Sequence, residues 1–316
     1  MSDALVTVVI PMHGLAPMTL DCIRSVQAGA PPHRMIVVDD ASPDDAGGWL
    51  RERAPEVEVL TLPRNVGYGR AVNQGVALAT TPVVVVLNND TMVEPGFLEA
   101  ITAPLIHGPE THGSVNAVVL RADGHAIESA GIAFDQSLAP YSRLAGHRPA
   151  DADGFWPPLV GPGGAAAAYR RTAWRQCRGF DERIPAYYED VDLCLRLHGA
   201  GWTTTVATGA RVRHLGGRTY GTQPRRVTYL AAYGRGYTLH RHRHLLRGTG
   251  AAAIGLEAIV ALLASARRRS TLPARGRIAG WRAATPLPAP GRRPPMIVGV
   301  LAGLRHRWWH RRAQRT

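Results

Sequence analysis

Apolar, β-branched runs at residues 5–10 (LVTVVI), 35–38, 57–62 and 82–87 (PVVVVL) alternate with amphipathic stretches, and this alternation restricts the fold more than any other feature. The runs at 5–10, 35–38 and 82–87 lack the polar alternation of a half-solvated strand and read as strands buried on both faces. Between them, residues 19–28 turn Leu20, Ile23 and Val26 to one side, and residues 49–53 form a short helix. A glycine-containing loop then enters a third helix (PRNVGYGRAVNQGVALA). Strand and helix in regular turn require crossover connections, hence an α/β fold whose mainly parallel sheet is flanked by helices. Pro11 is read as the end of the first strand. Ligands of such sheets bind beyond the C-terminal strand ends, and Asp39, Asn65 and Asp90 all fall there.

Further along, residues 114–120, 127–134 and 202–207 are expected to be strands. A glycine cluster opens VGPGGAAAAYRR (160–171), either to let backbone approach a substrate or as a plain loop. The stretch GFDERIPAYYEDVDLCLRLHGAGW (179–202) places Glu189, Asp190 and Asp192 in the first turn of a helix. Acids are favoured there by the exposed N–H groups. Asp192 and Arg196 are four residues apart and read as a pair on that helix's face.

Several classes are excluded. The first strand is followed by Pro11-Met12-His13-Gly14, and GYGRAV (67–72) supplies only two glycines after the third strand, so the dinucleotide fingerprint fails. All 37 basic residues are Arg, so no phosphate-binding loop with its lysine exists. The net charge of +13 divides unevenly: residues 1–220 hold 18 Arg and 23 acids (−5), while residues 221–316 hold 19 Arg and one acid, Glu257 (+18). Basic charge therefore lies outside the ordered motifs and argues against nucleic acid as the main partner. The three cysteines show no paired spacing, and no leader is evident, which together read as a cytoplasmic protein.

A carboxylate at a strand end, as Asp90 is, suits Mg²⁺ or Mn²⁺, with His214 as a possible nitrogen ligand. Asp190 or Glu189 is placed for general-base removal of a proton from an acceptor hydroxyl. Asp39 reads equally as an acceptor for a nucleobase N–H and as an Asx-type turn with Ser42 and Asp44.

VVIP (8–11), VVDDAS (37–42), NVGYGRAVNQG (65–75), VLNNDT (86–91), the 179–202 stretch and VRHLGG (212–217) occur in the order of family 2 glycosyltransferases. They cover about two-thirds of the chain, which resembles the bacterial rhamnosyltransferase-like branch of that family, with its GT-A fold. The resemblance implies a nucleoside-diphosphate sugar donor (dTDP-, UDP- or GDP-linked) bound by Pro11, Asp39, Asn65, Gly67, Asn73, Asn89 and Asp90. It further implies Mg²⁺ or Mn²⁺ on Asp90 and His214, and a single inverting displacement with Asp190 as base and Glu189 as the second candidate. The segment IPAYYED departs from the more usual FFxYxED on the acceptor side. A catalytic domain over residues 1–220 and a basic, mostly helical extension over 221–316 are expected.

In the extension, the apolar stretch 251–264 is short for a bilayer span, and a Pro-rich linker (285–295) leads to RHRWWHRRAQR. Arg with Trp308 and Trp309 suits an anionic membrane surface, which predicts a peripheral protein on the inner face of the cell membrane. The expected acceptor is a glycan or lipid-linked hydroxyl in surface-glycan synthesis. A small-molecule acceptor and a catalytically weak nucleotide- or glycan-binding scaffold are the alternatives.

Overall fold

The computed structural model describes residues 4–154, 159–216, 223–246, 250–288 and 297–301. The first half runs β1 (Val6–Met12), α1 (Ala16–Gln27), β2 (Arg34–Asp39), α2 (Ala46–Arg53), β3 (Glu58–Thr61), α3 (Tyr68–Leu78) and β4 (Val83–Leu87). It continues through β5 (Thr91–Val93), α4 (Phe97–Ile106), β6 (His112–Arg121), β7 (Ile127–Ser129), β8 (Ile132–Asp135), β9 (Pro140–Ser142), β10 (Ala166–Arg170) and α5 (Arg171–Gln176). Then come α6 (Glu189–Gly199), β11 (Thr203–His214), α7 (Pro224–Arg241), α8 (Gly250–Arg267) and α9 (Leu272–Ala283).

The main sheet has the order β3-β2-β1-β4-β10-β6-β11-β5, with β7 beside β6. The strands β3, β2, β1 and β4 are mutually parallel, as their crossover helices require, and β10 joins β4 antiparallel. Both faces are covered. Val8, Ile10, Val83, Val85 and Leu87 pack with Leu20, Ile23 and Val26 of α1. The intervening Val9, Val84 and Val86 pack with Val72 and Val76 of α3 and Leu193 and Leu197 of α6. Alternate side chains of one strand thus enter two separate cores, which is why the runs are apolar throughout.

Four sequence expectations are corrected. Pro11 lies inside β1, opposite Val38. It is tolerated because pairing with β4 stops at Val9, leaving β2 as the neighbour at that end. The single strand expected over 127–134 is two, separated at Gly131, whose φ of +96° bends the backbone. The late strand continues to His214 through a shift in register between Ala207 and Arg211. The apolar stretch of the extension extends to an 18-residue helix, α8, by length and composition able to cross a membrane.

Asp192 and Arg196 do pair, at 2.7 Å, but inside the protein, since Asp192 is fully buried. Arg241 at the end of α7 and His242 just beyond it meet the same carboxylate at 3.0 and 2.8 Å. The extension is therefore bonded to α6. The expected boundary between residues 220 and 221 lies outside the described residues, as do Gly217, most of the Pro-rich linker, and Trp308 and Trp309.

Candidate active site

A cleft of about 660 Å³ opens beyond the C-terminal ends of β1 and β4, of the size that holds a small ligand. Pro11, Asn65, Asn89, Asp90, Glu189, Asp190 and His214 all line it, so seven residues from distant parts of the chain converge. Asp39, Gly67 and Asn73 do not line it. Asp39 turns away to accept hydrogen bonds from the Ser42 N–H and hydroxyl (3.0 and 2.5 Å), forming an Asx-type turn. Its neighbour Asp40 faces the cleft instead, since successive residues at a strand end point to opposite sides. Asp40 accepts from the Val66 and Gly67 N–H groups at 2.6 and 2.9 Å, and so anchors the Asn65 loop. Gly67 has a φ of +89°, and a Cβ there would stand 2.9 Å from the Pro185 carbonyl. Asn73 exchanges two hydrogen bonds with the Phe180 backbone and ties α3 to the segment that precedes the acids.

Strand register places His214 beside Asp90. The last residue of β11 pairs with Thr91, and the Leu215 N–H donates to the Asp90 carbonyl at 2.8 Å. Asp90 Oδ1 is 3.2 Å from His214 Nε2, and Glu128 on β7 receives His214 Nδ1 at 2.9 Å. Burial pulls the His214 pKa down, but the hydrogen bonds to Asp90 and Glu128 outweigh it and push it up to about 10. Two carboxylates aimed at one imidazole concentrate negative charge around His214.

The separation of Asp90 Oδ1 and His214 Nε2 fits a shared divalent ion. Ligands about 2.1 Å from one ion in adjacent octahedral positions stand roughly 3 Å apart. Glu128 would then orient the imidazole from its far side. Among the described residues, no cluster of three or more His, Cys, Asp or Glu could hold a metal alone. Such a site would need ligand oxygens or water to complete it.

The acidic pair stands across the cleft, at the start of α6. Tyr187 and Tyr188 both have positive φ (63° and 78°), an uncommon conformation for aromatic residues, and they turn the chain so that α6 begins at the cleft wall. Behind them α7 comes so close that a Cβ on Gly234 would lie 2.4 Å from the Tyr187 carbonyl. The Asp190 carboxylate accepts from the Gly164 N–H at 2.9 Å and from the Val191 N–H at 2.8 Å, which fixes its direction. Its pKa is raised by burial, against those hydrogen bonds. Glu189 is buried beside it, Oε2 lacks a hydrogen-bond partner in the protein, and burial and the Asp190 charge push its pKa up to about 8. The Tyr68 hydroxyl closes this side by donating to the Gly164 carbonyl at 2.9 Å.

Glu128, Asp40 and Tyr68 were not foreseen. Asp40 and Tyr68 stand inside blocks already singled out, whereas Glu128 is a lone acid in a stretch read only as a strand and carries no signal of its own.

Residues 7–173 match the model of the family described as glycosyl transferase family 2. The chain is 29% identical over 231 residues to the N-acetylglucosaminyl-diphospho-decaprenol L-rhamnosyltransferase of Mycobacterium tuberculosis, across 64% of this chain and 72% of that protein. Among solved structures, GalNAc-T7 with UDP, GalNAc and Mn²⁺ superposes with a TM-score of 0.59 at 14% identity. That match takes in 80% of this chain and 52% of GalNAc-T7, so this chain spans about half of it. The mannosyltransferase PcManGT from Pyrobaculum calidifontis, in complex with GDP-Man and Mn²⁺, gives a TM-score of 0.52 at 19% identity, over 87% of this chain and 85% of that one. At such identities the structures speak for the fold, and the fold is GT-A. The chain belongs to glycosyl transferase family 2.

Proposed function

We propose that this glycosyltransferase is inverting and metal-dependent, and that it moves a sugar from a nucleoside diphosphate to a hydroxyl of a glycan or lipid-linked acceptor. The observation that carries this reading is the cleft itself, which sets Asp90 and His214 on one wall and Glu189 and Asp190 on another. The donor's diphosphate would lie towards Asp90 and His214, with Pro11, Asn65 and Asn89 lining the nucleotide side. Asp90 and His214 would hold Mg²⁺ or Mn²⁺, whose charge offsets that of the departing diphosphate. Asp39, Gly67 and Asn73 act from behind the wall, shaping the loops around the nucleotide.

Asp190 is the proposed base, since its two backbone hydrogen bonds hold it in one orientation. It takes the proton of the acceptor hydroxyl as that oxygen bonds to the anomeric carbon and the carbon–diphosphate bond breaks. A single displacement of this kind inverts the anomeric centre. Glu189 would modulate that base through its charge. The similar rhamnosyltransferase supports rhamnose as the transferred sugar and a polyprenyl-diphosphate-linked acceptor, which would set the reaction at the cytoplasmic face of a membrane. We assign the chemistry to residues 1–220 and the support of the acceptor wall to residues 221–316.

Calorimetric binding of UDP and dTDP, with and without Mn²⁺, tests this reading on the wild type and on Asp90→Ala. Metal-dependent binding lost in the variant supports it; no binding of either nucleotide, or of GDP, would overturn it. Asp190→Asn should keep donor affinity and lose turnover.

A further inference from the structure

The helix α8 is amphipathic in the inverted sense. Its inner face carries Ala253 and Ala261, both buried, and Glu257, the one charged side chain before its terminal Arg267. Glu257 is inward because Arg235 of α7 and Arg277 of α9 bond its carboxylate at 2.8 and 2.6 Å. The outer face presents Ile259, Leu262 and Leu263 to solvent, 55%, 66% and 65% exposed. A helix facing water normally places its charges outward and its apolar stripe inward. This one does the reverse, so its outer face is not built for water.

The surroundings identify the occupant. At the C-terminal end of α8, Arg267, Arg268 and Arg269 are exposed in succession, and Arg275 and Arg282 of α9 are exposed as well. An apolar face bordered by arginines matches hydrocarbon bordered by anionic headgroups. A second copy of this chain fits poorly, because residues 221–316 carry +18 and would repel their like. Nor would lipid surround α8 as a bilayer span: its inner face is committed to the ion pairs of Glu257 and to contact with α9. It lies in the plane of the interface.

We propose that the outer face of α8 seats the protein on an anionic bilayer, with Ile259, Leu262 and Leu263 entering the headgroup–acyl boundary and Arg267, Arg268 and Arg269 meeting anionic headgroups. The seat is connected to the cleft. Arg235, held by Glu257, donates to the carbonyls of Ser137 and Leu138 at 2.9 and 2.6 Å, and Ala253 packs on Leu138. Two residues later Pro140 and Tyr141 line the cleft. The bilayer would thus lie beside the wall that receives an acceptor.

Vesicle co-sedimentation of the full chain tests this without donor or acceptor, so it can fail while the proposed reaction stands, and the reverse. We expect binding to vesicles of equal phosphatidylcholine and phosphatidylglycerol, and far less to phosphatidylcholine alone. The triple substitution I259Q/L262Q/L263Q touches only exposed side chains and should weaken partitioning about a hundredfold. Circular dichroism and nucleotide binding should be unchanged. Equal partitioning of the variant and wild type would place membrane binding elsewhere and overturn the proposal. Absence of wild-type binding would overturn it too, as would a dimer that the substitution turns into a monomer without any vesicle effect.

Discussion

Asp192 of α6 and His242 beyond α7 share a 2.8 Å hydrogen bond between two fully buried side chains. Burial and the nearby charges of Arg196 and Arg241 hold His242 below its ordinary pKa, so a neutral imidazole donates from Nε2 to Asp192. Burial alone would raise the Asp192 pKa, yet Arg196, His242 and Arg241 outweigh it and hold the carboxyl well below the usual carboxylate range. The link joins the extension to the helix that bears the acidic pair. We predict that Asp192→Ala, which takes the shared carboxylate from Arg196, Arg241 and the buried His242, costs about 3–5 kcal/mol in chemical denaturation.

The same link predicts a pH dependence of stability. Both groups have depressed pKa values in the folded state, so both stabilise above their unfolded values and lose that contribution as pH falls. Loss begins below about pH 6.5, where unfolded His242 takes up a proton, and deepens below about pH 3.9 through Asp192. Because Glu189, Asp190 and His214 titrate alike in both proteins, the wild-type urea midpoint should fall relative to that of His242→Gln as the pH is lowered from about 8 to about 5. Identical slopes would mean that His242 is not the titrating group.

Gly234 gives a test of how α7 serves the cleft. A methyl group there would press on the Tyr187 carbonyl and the Tyr188 Cβ, which lie 2.4 and 2.7 Å from the position it would take. Gly234→Ala should tilt the turn that presents Glu189 and Asp190 and lower kcat by about ten- to hundredfold. Donor affinity, which we propose rests on the opposite wall, should be unchanged. Equal losses in both would show that α7 supports the whole fold and not the turn.

How much of this was legible beforehand depends on what each residue faces. The β-branched runs were readable because both faces of β1 and β4 are buried, which leaves no room for polar residues. Asp90, Asp190 and His214 were readable as residues of one cleft because polar groups follow strands or open a helix. The choice between Asp39 and Asp40 was not, since adjacent carboxylates at a strand end differ only in the side to which they point. Glu128 was invisible because its role comes from pairing of β7 with β6, two strands away from Asp90 in the sheet. The apolarity of α8 was plain, but a hydropathy window cannot say that its charged side is the buried one.

Glu128 makes its own prediction. It meets only the far nitrogen of His214, so Glu128→Gln leaves the Asp90–His214 separation and removes the charge that orients the ring. We expect Mn²⁺ affinity, measured by calorimetry in the presence of nucleotide, to fall about 10- to 100-fold. His214→Ala should fall further. An unchanged Mn²⁺ affinity in Glu128→Gln would mean that His214 needs no orienting partner.

The acidic pair makes the last. Glu189 and Asp190 are buried side by side; burial raises both carboxyls, and the Asp190 charge adds to it at Glu189, which reaches about 8. At neutral pH the pair therefore retains a proton, and a proposed base must be ionised to act. The rate limb should accordingly rise with pH above the ordinary carboxylate range, kcat/KM levelling once Asp190 is ionised. Glu189→Gln removes one of the two repelling charges, which lets Asp190 ionise at lower pH, so the limb should shift downward in pH. Asp190→Asn should lower kcat by about 10²–10⁴-fold and leave no limb to shift. A Glu189→Gln profile superimposed on the wild type would show that the base does not feel Glu189. If Glu189→Gln instead lost turnover while Asp190→Asn kept it, the roles would be exchanged, and the hydrogen bond from Gly164 would be holding a structural carboxylate.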